Sequence, residues 1–250
     1  EMSGNAIIED YITGREFLLD YIAVNGEYRL FSMFDRHMTP DRSSAVNYSN
    51  ISISPSKYLD DYYSKVNDKV INMFRSLGFT DGVLFLQGYS TDEKITFFEM
   101  GCRLGGSYYN HQRACFGFNA LDMVVNCALT GKMTDEIDNI PVDVARYEGK
   151  YALDCNYLLK GSDETIAEIR GLEEIKAMPC CVELQQFHDV GYHYVKDRTV
   201  DKPIANAEIV LPSREEVIEK VNYINKTFDV LNERGESLLI TKLNPEELFK

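Results

Sequence analysis

This sequence is short of basic residues and has no long apolar run, and each shortage excludes a class of protein. Lys and Arg total 26 against 40 Asp and Glu, which gives a formal net charge of −14. Phosphate backbones require clustered basic side chains, so this charge argues against a nucleic-acid groove. No stretch approaches the roughly 18 consecutive apolar residues that span a bilayer. We therefore expect a soluble, cytoplasmic protein whose partners are small molecules.

The cysteines lack a recognisable pattern. Their spacing does not repeat in the short steps that ligate zinc or iron–sulfur clusters, so we expect reduced thiols, several of them packed as small apolar residues. A nucleophilic role for Cys102 stays open. The six positions are Cys102, Cys115, Cys127, Cys155 and the adjacent pair Cys180-Cys181.

The first residues, Glu1 to Asn5, lack the basic and apolar regions of a secretory signal. A methionine stands second, behind a glutamate, and an apolar stretch begins almost at once at Ala6. This arrangement predicts a chain cut from a longer one, with a domain preceding it. The 250 residues, 44% of them hydrophobic, suffice for one large or two small domains.

The first half reads as strands followed by a helix. Period-two patterns predict strands over Ala6–Ile12, Glu16–Val24 and Tyr28–Phe34, with Asn25-Gly26 as a hairpin turn. Residues 35–54 show no period and are predicted to form a long loop. Apolar residues at three- and four-residue steps predict a helix from Pro55 to a glycine cap at Gly78.

Two further strands are predicted over Val83–Tyr89 and Lys94–Met100. A three-residue turn at Asp92 to Lys94 places Gln87 directly across from Glu99. A two-residue turn places Gln87 on the opposite face, because side chains alternate along a strand. The choice between these registers stays open at this point.

Capping signals organise the remainder. Ser107 is a predicted N-cap, a second helix is expected over Asn119–Leu129, and Ser213 with Glu216 forms a capping box for the last helix. Short strands are predicted at residues 150–159, 165–169, 181–187, 192–195 and 207–211. The acidic stretch Thr134–Val144 is a predicted boundary that divides the chain into residues 1–133 and 145–250.

One segment carries the chemistry. Between Ile95 and Ser107, Glu99 and Arg103 flank a glycine-bearing turn at the end of an apolar strand. A carboxylate buried beside Phe97 and Phe98 costs free energy unless a cation or hydrogen-bond donors compensate it. This pattern predicts a metal and phosphate site.

Two segments together resemble the ATP-grasp superfamily. Ile7–Phe17 resembles its adenine-hinge strand, and Phe98–Gly106 resembles its metal-binding strand and turn, in the same order along the chain. The resemblance is to the carbamoyl-phosphate-synthase-like, biotin-carboxylase-like and amino-acid-ligase branches of that superfamily. The resemblance implies an α+β fold. It further implies an antiparallel-sheet ATP-grasp C-terminal lobe over residues 1–133 without its N-terminal lobe, and a smaller β-rich α+β domain at 145–250.

The resemblance implies a nucleotide site at the hinge. Backbone groups of Asp10, Tyr11 and Ile12 would meet the adenine edge, with Glu9 near the exocyclic amine. Glu16 matches the acid that accepts hydrogen bonds from the ribose hydroxyls. An edge strand with solvated acids is the alternative.

The resemblance also assigns a metal and a catalytic residue. Glu99, with Gln87 on the neighbouring strand, would hold the Mg²⁺ that bridges the phosphates of ATP. Arg103 would neutralise charge on the transferring phosphoryl group. The alternative for Glu99 and Arg103 is an ion pair that only closes the turn. The family usually has an acid at the position of Gln87 and an asparagine at that of Gly101, so this metal site is weakened.

An anionic substrate would lie beside that turn. Backbone N–H groups of Gly105, Gly106 and Ser107 would face it, and Arg36 would bind its carboxylate or phosphate.

The implied activity is ATP-dependent carboxylate–amine ligation through an acyl phosphate. The alternatives are a carbamoyl-phosphate-synthase-like enzyme that forms carboxyphosphate, and a degenerate module that binds a nucleotide or partner without catalysis. The phosphate-gripping lysines of the family come from the lobe before the hinge, so we expect this chain alone to be inactive.

Overall fold

The computed structural model describes residues 8, 10–38, 49–106, 109–160, 163–195, 203–240, 242 and 244–250. The strands are β1 (Arg15–Val24), β2 (Glu27–Met38), β3 (Ser49–Ser54), β4 (Gly82–Ser90), β5 (Ile95–Gly101), β6 (Tyr151–Leu158), β7 (Glu164–Thr165), β8 (Glu168–Arg170), β9 (Cys181–Gln186), β10 (His193–Tyr194), β11 (Pro203–Leu211) and β12 (Asp229–Leu231). The α-helices are α1 (Leu59–Lys65), α2 (Asn67–Ser76), α3 (Tyr109–Phe116), α4 (Ala120–Thr130), α5 (Leu172–Lys176) and α6 (Arg214–Thr227), and 3₁₀ segments occupy Ile137–Asn139, Val144–Gly149 and Pro245–Phe249.

Eight strands form one antiparallel sheet in the order β5-β4-β1-β2-β3-β6-β11-β9. The predicted α+β class with a large antiparallel sheet is confirmed. Strand β3 pairs with β6 through Ile51–Ser54 and Ala152–Cys155, so the sheet continues across the predicted boundary. The division into residues 1–133 and 145–250 stays a prediction.

The β1–β2 hairpin forms as predicted. Asn25 and Gly26 have φ of 52° and 80°, the two-residue turn whose twist matches that of the flanking strands. The predicted strand over Ala6–Ile12 is wrong for its described residues, 8 and 10–12, which lie outside any strand.

The predicted loop over residues 35–54 is wrong at both ends. Asp35 to Met38 continue β2, and Ser49–Ser54 form β3, which pairs with β2 on one side and β6 on the other. All six residues of β3 are buried although four of them are polar. A buried strand with polar side chains lacks the alternation that marks a half-exposed strand. The central part of the predicted loop, 39–48, lies outside the described residues.

The helices follow their capping signals. The single helix predicted from Pro55 is two helices, α1 and α2, separated at Val66, where φ is −128°. Asn119 caps α4 by accepting from the Asp122 N–H, and Ser213 caps α6 by accepting from the Glu216 N–H. Within the described residues, no helix combines the length and apolarity needed to cross a membrane.

The sheet has two differently covered faces. Odd-numbered residues of β1, among them Phe17, Leu19 and Tyr21, pack into a core with α1 and α2. Odd-numbered residues of β6 and β11 pack into another core that includes α6. The even-numbered residues of these strands therefore share the opposite face, on which α3 and α4 lie.

Candidate functional site

A row of polar residues crosses five neighbouring strands on the face shared with α3. In register, Glu16 on β1 pairs with Arg36 on β2, Arg36 with Ser52 on β3, Ser52 with Asp154 on β6, and Asp154 with Glu208 on β11. We call these five residues the polar row. Because cross-strand partners lie about 5 Å apart, the row is a continuous band of charged and hydroxyl groups.

Glu16 and Arg36 form a largely enclosed ion pair. Arg36 Nη1 contacts Glu16 Oε1. Only 10% of the Glu16 side chain and 18% of the Arg36 side chain are exposed. Burial raises the pKa of Glu16 above its usual value, while the charge and the hydrogen bond of Arg36 oppose that rise. Arg36 therefore balances a carboxylate whose enclosure disfavours its charged form.

Gln87 links this pair to Glu99. In the amide orientation that satisfies both neighbours, its NH₂ donates to Glu99 Oε2 at 2.9 Å and its carbonyl accepts from Arg36 Nη1 at 3.0 Å. We call the chain of contacts Glu16, Arg36, Gln87 and Glu99 the bridging network. Its four side chains come from strands β1, β2, β4 and β5, so the network links these strands in addition to their backbone pairing.

Gln87 reaches Glu99 by a route that the sequence did not indicate. The two are register partners, as a three-residue turn would give, but the pairs Ser90 with Ile95 and Gly88 with Phe97 enclose a loop of residues 91–94. The register then shifts between Gln87 and Gly88, leaving Phe98 as an extra residue in β5. This bulge restores the pairing that a four-residue loop would otherwise displace.

Glu99 and Arg103 lie at the open end of the network. Their side chains are 49% and 62% exposed, and Arg103 Nη2 stands 3.9 Å from Glu99 Oε1. The expected burial of Glu99 beside Phe97 and Phe98 is therefore wrong, because β5 is an edge strand. A pair this exposed adds little stability, which leaves both groups available to a charged ligand.

The Phe85 ring supports Arg103 and fills the space beside Gly101. The Arg103 guanidinium carbon lies 4.1 Å from the centroid of that ring. Phe85 and Gly101 are register partners, and a Cβ placed on Gly101 would overlap the ring. Any side chain at 101, including the asparagine of the family pattern, is therefore incompatible with Phe85 as it stands.

Asp20 holds the turn that contains Gly105 against the sheet. Its carboxylate accepts from Ser32 Oγ at 2.8 Å and from the backbone N–H of Gly105. Burial raises its pKa to about 6, although Ser32, Gly105 and the nearby charge of Arg103 oppose the rise. The Gly105 N–H, predicted to face a substrate anion, is thus already used within the protein.

The far end of the polar row is arranged differently. Asp154 accepts from Asn206 Nδ2 at 2.7 Å and from Asn156 Nδ2 at 3.2 Å, and burial raises its pKa. Glu208 accepts from Asn110 Nδ2 at 3.1 Å and from the His111 backbone N–H at 3.0 Å. Burial raises the pKa of Glu208 to about 7.

Solved structures share this backbone. The L-amino acid ligase from Bacillus licheniformis matches with a TM-score of 0.72 and 18% identity, over 89% of this chain and 53% of that one. Phosphoribosylglycinamide synthetase from Anaerococcus prevotii matches at 0.70 and 13%, over 90% and 55%. A biotin carboxylase from Campylobacter jejuni, in complex with βγ-ATP, matches at 0.65 and 14%, over 97% and 51%.

The chain has an ATP-grasp fold. The resemblance drawn from the two motifs is thereby confirmed at the level of the fold. The chain spans about half the length of the structures that it matches. No protein-family profile and no curated protein matches the sequence.

The ATP-grasp site residues predicted from the sequence fall into three groups. Glu16, Arg36, Gln87 and Glu99 are brought together in the bridging network, with Arg103 beside them. Asp10, Tyr11 and Ile12 form an irregular segment before β1, in which Tyr11 is 80% exposed. Gly105 and Gly106 line a small cavity with Asp20 and Tyr109. Glu9 and Ser107 lie outside the described residues.

Three contributors to the site were not predicted: Asp20, Ser32 and Phe85. Asp20 carried a usable signal, because it is a carboxylate inside the apolar run Phe17 to Ile22, and such a group needs a partner. Phe85 carried none, since an aromatic residue in an apolar strand is ordinary core. Its role depends on Gly101, 16 positions further along, and emerges only from strand pairing.

The donor set suits a metal ion that takes most of its ligands from elsewhere. Glu99 is an accessible carboxylate, whereas Gln87 directs its carbonyl to Arg36 and Gly101 has no side chain. Among the described residues, no cluster of three or more His, Cys, Asp or Glu has a geometry suited to a metal. A magnesium ion here would bind through Glu99 and a ligand's phosphates. Gln87 as a metal ligand stays a prediction, and it requires the amide to turn.

Proposed function

We propose that this chain is the C-terminal part of an ATP-dependent carboxylate–amine ligase that works through an acyl phosphate. The observation that carries the proposal is the bridging network, which connects Glu16 to Glu99 and opens to solvent where Arg103 stands. At that open end, the side chains of Glu99 and Arg103 offer accessible charges of both signs on a sheet with the ATP-grasp fold.

The proposed reaction has two steps. A carboxylate oxygen of the first substrate attacks the γ-phosphorus of ATP, the bond to the ADP oxygen breaks, and an acyl phosphate forms. The nitrogen of the amine then attacks the acyl carbon, phosphate leaves with the carbon–oxygen bonding pair, and the nitrogen loses a proton to give the amide. Both steps spread negative charge over phosphoryl oxygens.

Arg103 suits that charge. Its guanidinium is 62% exposed, and Phe85 restrains it from one side without neutralising it. A preorganised cation stabilises developing charge without reorganising during the reaction. Arg36, by contrast, is committed to Glu16 and Gln87, so we assign it to the bridging network and not to direct substrate binding.

Glu99 and Glu16 would bind opposite ends of the nucleotide. Glu99 would hold magnesium, which when bound neutralises phosphate charge. Glu16 would accept from the ribose hydroxyls. Asp10, Tyr11 and Ile12 would contact the adenine with their backbone groups, with Glu9 near its amine. Gly106 and Ser107 retain their proposed contact with the substrate anion.

Nucleotide binding without catalysis is the second candidate, and two features favour it. Gln87 is neutral where an acid is usual, and Phe85 excludes a side chain at Gly101. Both reduce the number of metal ligands while leaving Glu16 and Arg103 in place.

Calorimetry and product release on the full-length protein separate these candidates. A ligase should bind ATP far more tightly with Mg²⁺ and release phosphate only when a carboxylate and an amine are both present. Phosphate release with bicarbonate alone would indicate a carboxyphosphate-forming enzyme. Tight binding that ignores Mg²⁺, with no phosphate release, would indicate the binding module, and absence of ATP binding would refute every candidate.

The Glu99→Gln variant locates the metal. It should lower turnover by about 100-fold or more while leaving the fold intact, because it removes the carboxylate that would hold the magnesium at the phosphates. Asp92→Asn is the matched control, since Asp92 is an exposed acid on the loop of the same hairpin. Equal activity of Glu99→Gln and Asp92→Asn would remove Glu99 from the metal role.

A further inference from the structure

Asp20 occupies an unusual position for a carboxylate. It lies within the apolar strand β1, opposite Ser32 on β2 and Phe85 on β4. Because side chains alternate between the two faces of a strand, Asp20 lies on the same face as Glu16, which is four residues earlier in β1. Residues 102–106, which we call the arginine turn, pass directly over it.

Contacts fix the arginine turn at two points. The Gly105 N–H donates to the Asp20 carboxylate, and the Arg103 guanidinium stacks on Phe85, the register partner of Asp20. A Cβ placed on Gly105 would overlap Asp20 Oδ1, so only glycine permits this approach. The turn is thus anchored on adjacent strands, at Arg103 itself and at Gly105.

We propose that Asp20 is a positioning residue that holds the arginine turn against the sheet and thereby presents Arg103 to the reacting phosphoryl group. The proposal rests on the function proposed above for Arg103. It goes further in naming the group that fixes where Arg103 stands. A hydrogen bond to an ionised acceptor is about twice as strong as one to a neutral acceptor, so the charge of Asp20 contributes to the anchor.

The surroundings of Asp20 define what else acts on its charge. Ser32 donates to it from β2, Gly105 and Arg103 face it from the turn, and the hydroxyls of Tyr109 and Tyr147 are close enough for its charge to act on them. Arg103 is the cation among these groups. Protonation of Asp20 therefore weakens its interaction with both Gly105 and Arg103.

Kinetics on the full-length protein test the role in catalysis. Asp20→Ala should lower kcat by about 100-fold with little change in the KM for ATP, because misplacing a catalytic group by about 1 Å costs that much. Asp20→Asn retains an acceptor for Gly105 but lacks the charge, so it should recover only part of the loss. Wild-type kcat should also fall as the pH drops through about 6, the pKa of Asp20, and Asp20→Asn should lack that fall.

Asp35→Asn is the matched control. Asp35 is a buried strand carboxylate that accepts from Ser56 Oγ at 2.5 Å and from the Lys57 N–H at 3.0 Å, without contact to the arginine turn. It should change stability and leave the pH profile of kcat unaltered. Wild-type kcat in Asp20→Ala, or the same change of pH profile in Asp35→Asn, would overturn the proposal.

Nuclear magnetic resonance tests the anchor without requiring activity. Labelling Leu with ¹³C at the carbonyl and Gly with ¹⁵N selects the Leu–Gly peptides, which in this sequence are Leu77-Gly78 and Leu104-Gly105. The Gly105 amide should titrate near pH 6 in the wild type and lose that titration in Asp20→Asn, while Gly78 serves as the internal reference.

The two readouts separate the failures. A Gly105 amide that titrates in a protein without ligase activity would refute the proposed function and keep the anchor. A Gly105 amide that neither titrates nor shifts in Asp20→Asn would refute the anchor itself. Because Asp20→Asn is isosteric, this outcome is accessible even when Asp20→Ala does not fold.

Discussion

The two ends of the polar row hold their carboxylates in opposite ways. At the β1 end, Glu16 is paired with the guanidinium of Arg36, and the network continues to an exposed acid, Glu99. At the β11 end, Asp154 and Glu208 accept from amide groups, and both are buried. A cation favours the charged form of a carboxylate more strongly than neutral amide donors do. The first end is suited to ligands and the second to holding the sheet together.

Removing the Arg36 guanidinium should give the largest loss of stability. Arg36→Met leaves Glu16 enclosed without its partner, and breaking a buried pair costs about 4 kcal/mol. The free energy of unfolding, measured with urea at pH 8, should fall by that amount and recover in part as the pH is lowered, because protonation removes the uncompensated charge of Glu16. Adding Glu16→Gln should restore stability at pH 8, and an unrestored double variant would contradict the pairing.

The Glu208 carboxyl should make stability depend on pH. Its pKa in the folded protein, about 7, exceeds the usual 4.5, so the folded state holds the proton more tightly. Its stabilising contribution is complete below about pH 4.5 and disappears as the pH rises through about 7, with a span of about 3 kcal/mol.

Glu208→Gln should flatten that part of the profile, as measured by urea unfolding between pH 4.5 and 8. His111 does not titrate in this range, because burial lowers its pKa to about 3. An unchanged slope in Glu208→Gln would show that the carboxyl is not the group responsible.

Gly101 and Phe85 should be coupled. Gly101→Asn forces a side chain into the Phe85 ring and should cost about 2 kcal/mol by overpacking. In Phe85→Leu the same substitution should cost less, because the smaller residue leaves room. A double-mutant cycle measures the coupling, which we expect to be about 1 kcal/mol, and strict additivity would contradict the overlap.

Removing the Asn206 amide should give the smallest loss of stability. Asn206→Ala takes one donor from Asp154, which keeps Asn156 Nδ2 at 3.2 Å and has a raised pKa. We expect a loss of about 1 kcal/mol in thermal or urea unfolding. A loss as large as that of Arg36→Met would show that the β11 end depends on charge as strongly as the β1 end.

The features predicted correctly from the sequence are local. The β1–β2 turn and the caps of α4 and α6 each depend on residues within a few positions of one another. The β3 strand was missed because its polar residues are stabilised by neighbours from β2 and β6. The bulge at Phe98 has no sequence signature, so the Gln87–Glu99 pairing was available from the sequence only as one of two registers.

The sequence allowed candidate site residues to be named from their residue types. Glu99 and Arg103 follow from charges that flank a turn at the end of an apolar strand, and Glu16 follows from the resemblance to the ATP-grasp hinge. Their enclosure or exposure was not predictable, since it depends on which strands lie at the edge of the sheet. Asp20 and Phe85 act on residues far along the chain, so their roles required the strand order.

The contact between Phe85 and Gly101 also constrains how this protein can change over generations. An asparagine at 101 requires a smaller residue at 85, and a smaller residue at 85 withdraws the support beneath Arg103. Each substitution alone is therefore unfavourable, and a lineage that carries the pair must cross a less stable intermediate in either order. The two positions can be expected to vary together among related sequences, which makes them a two-residue marker for this version of the site.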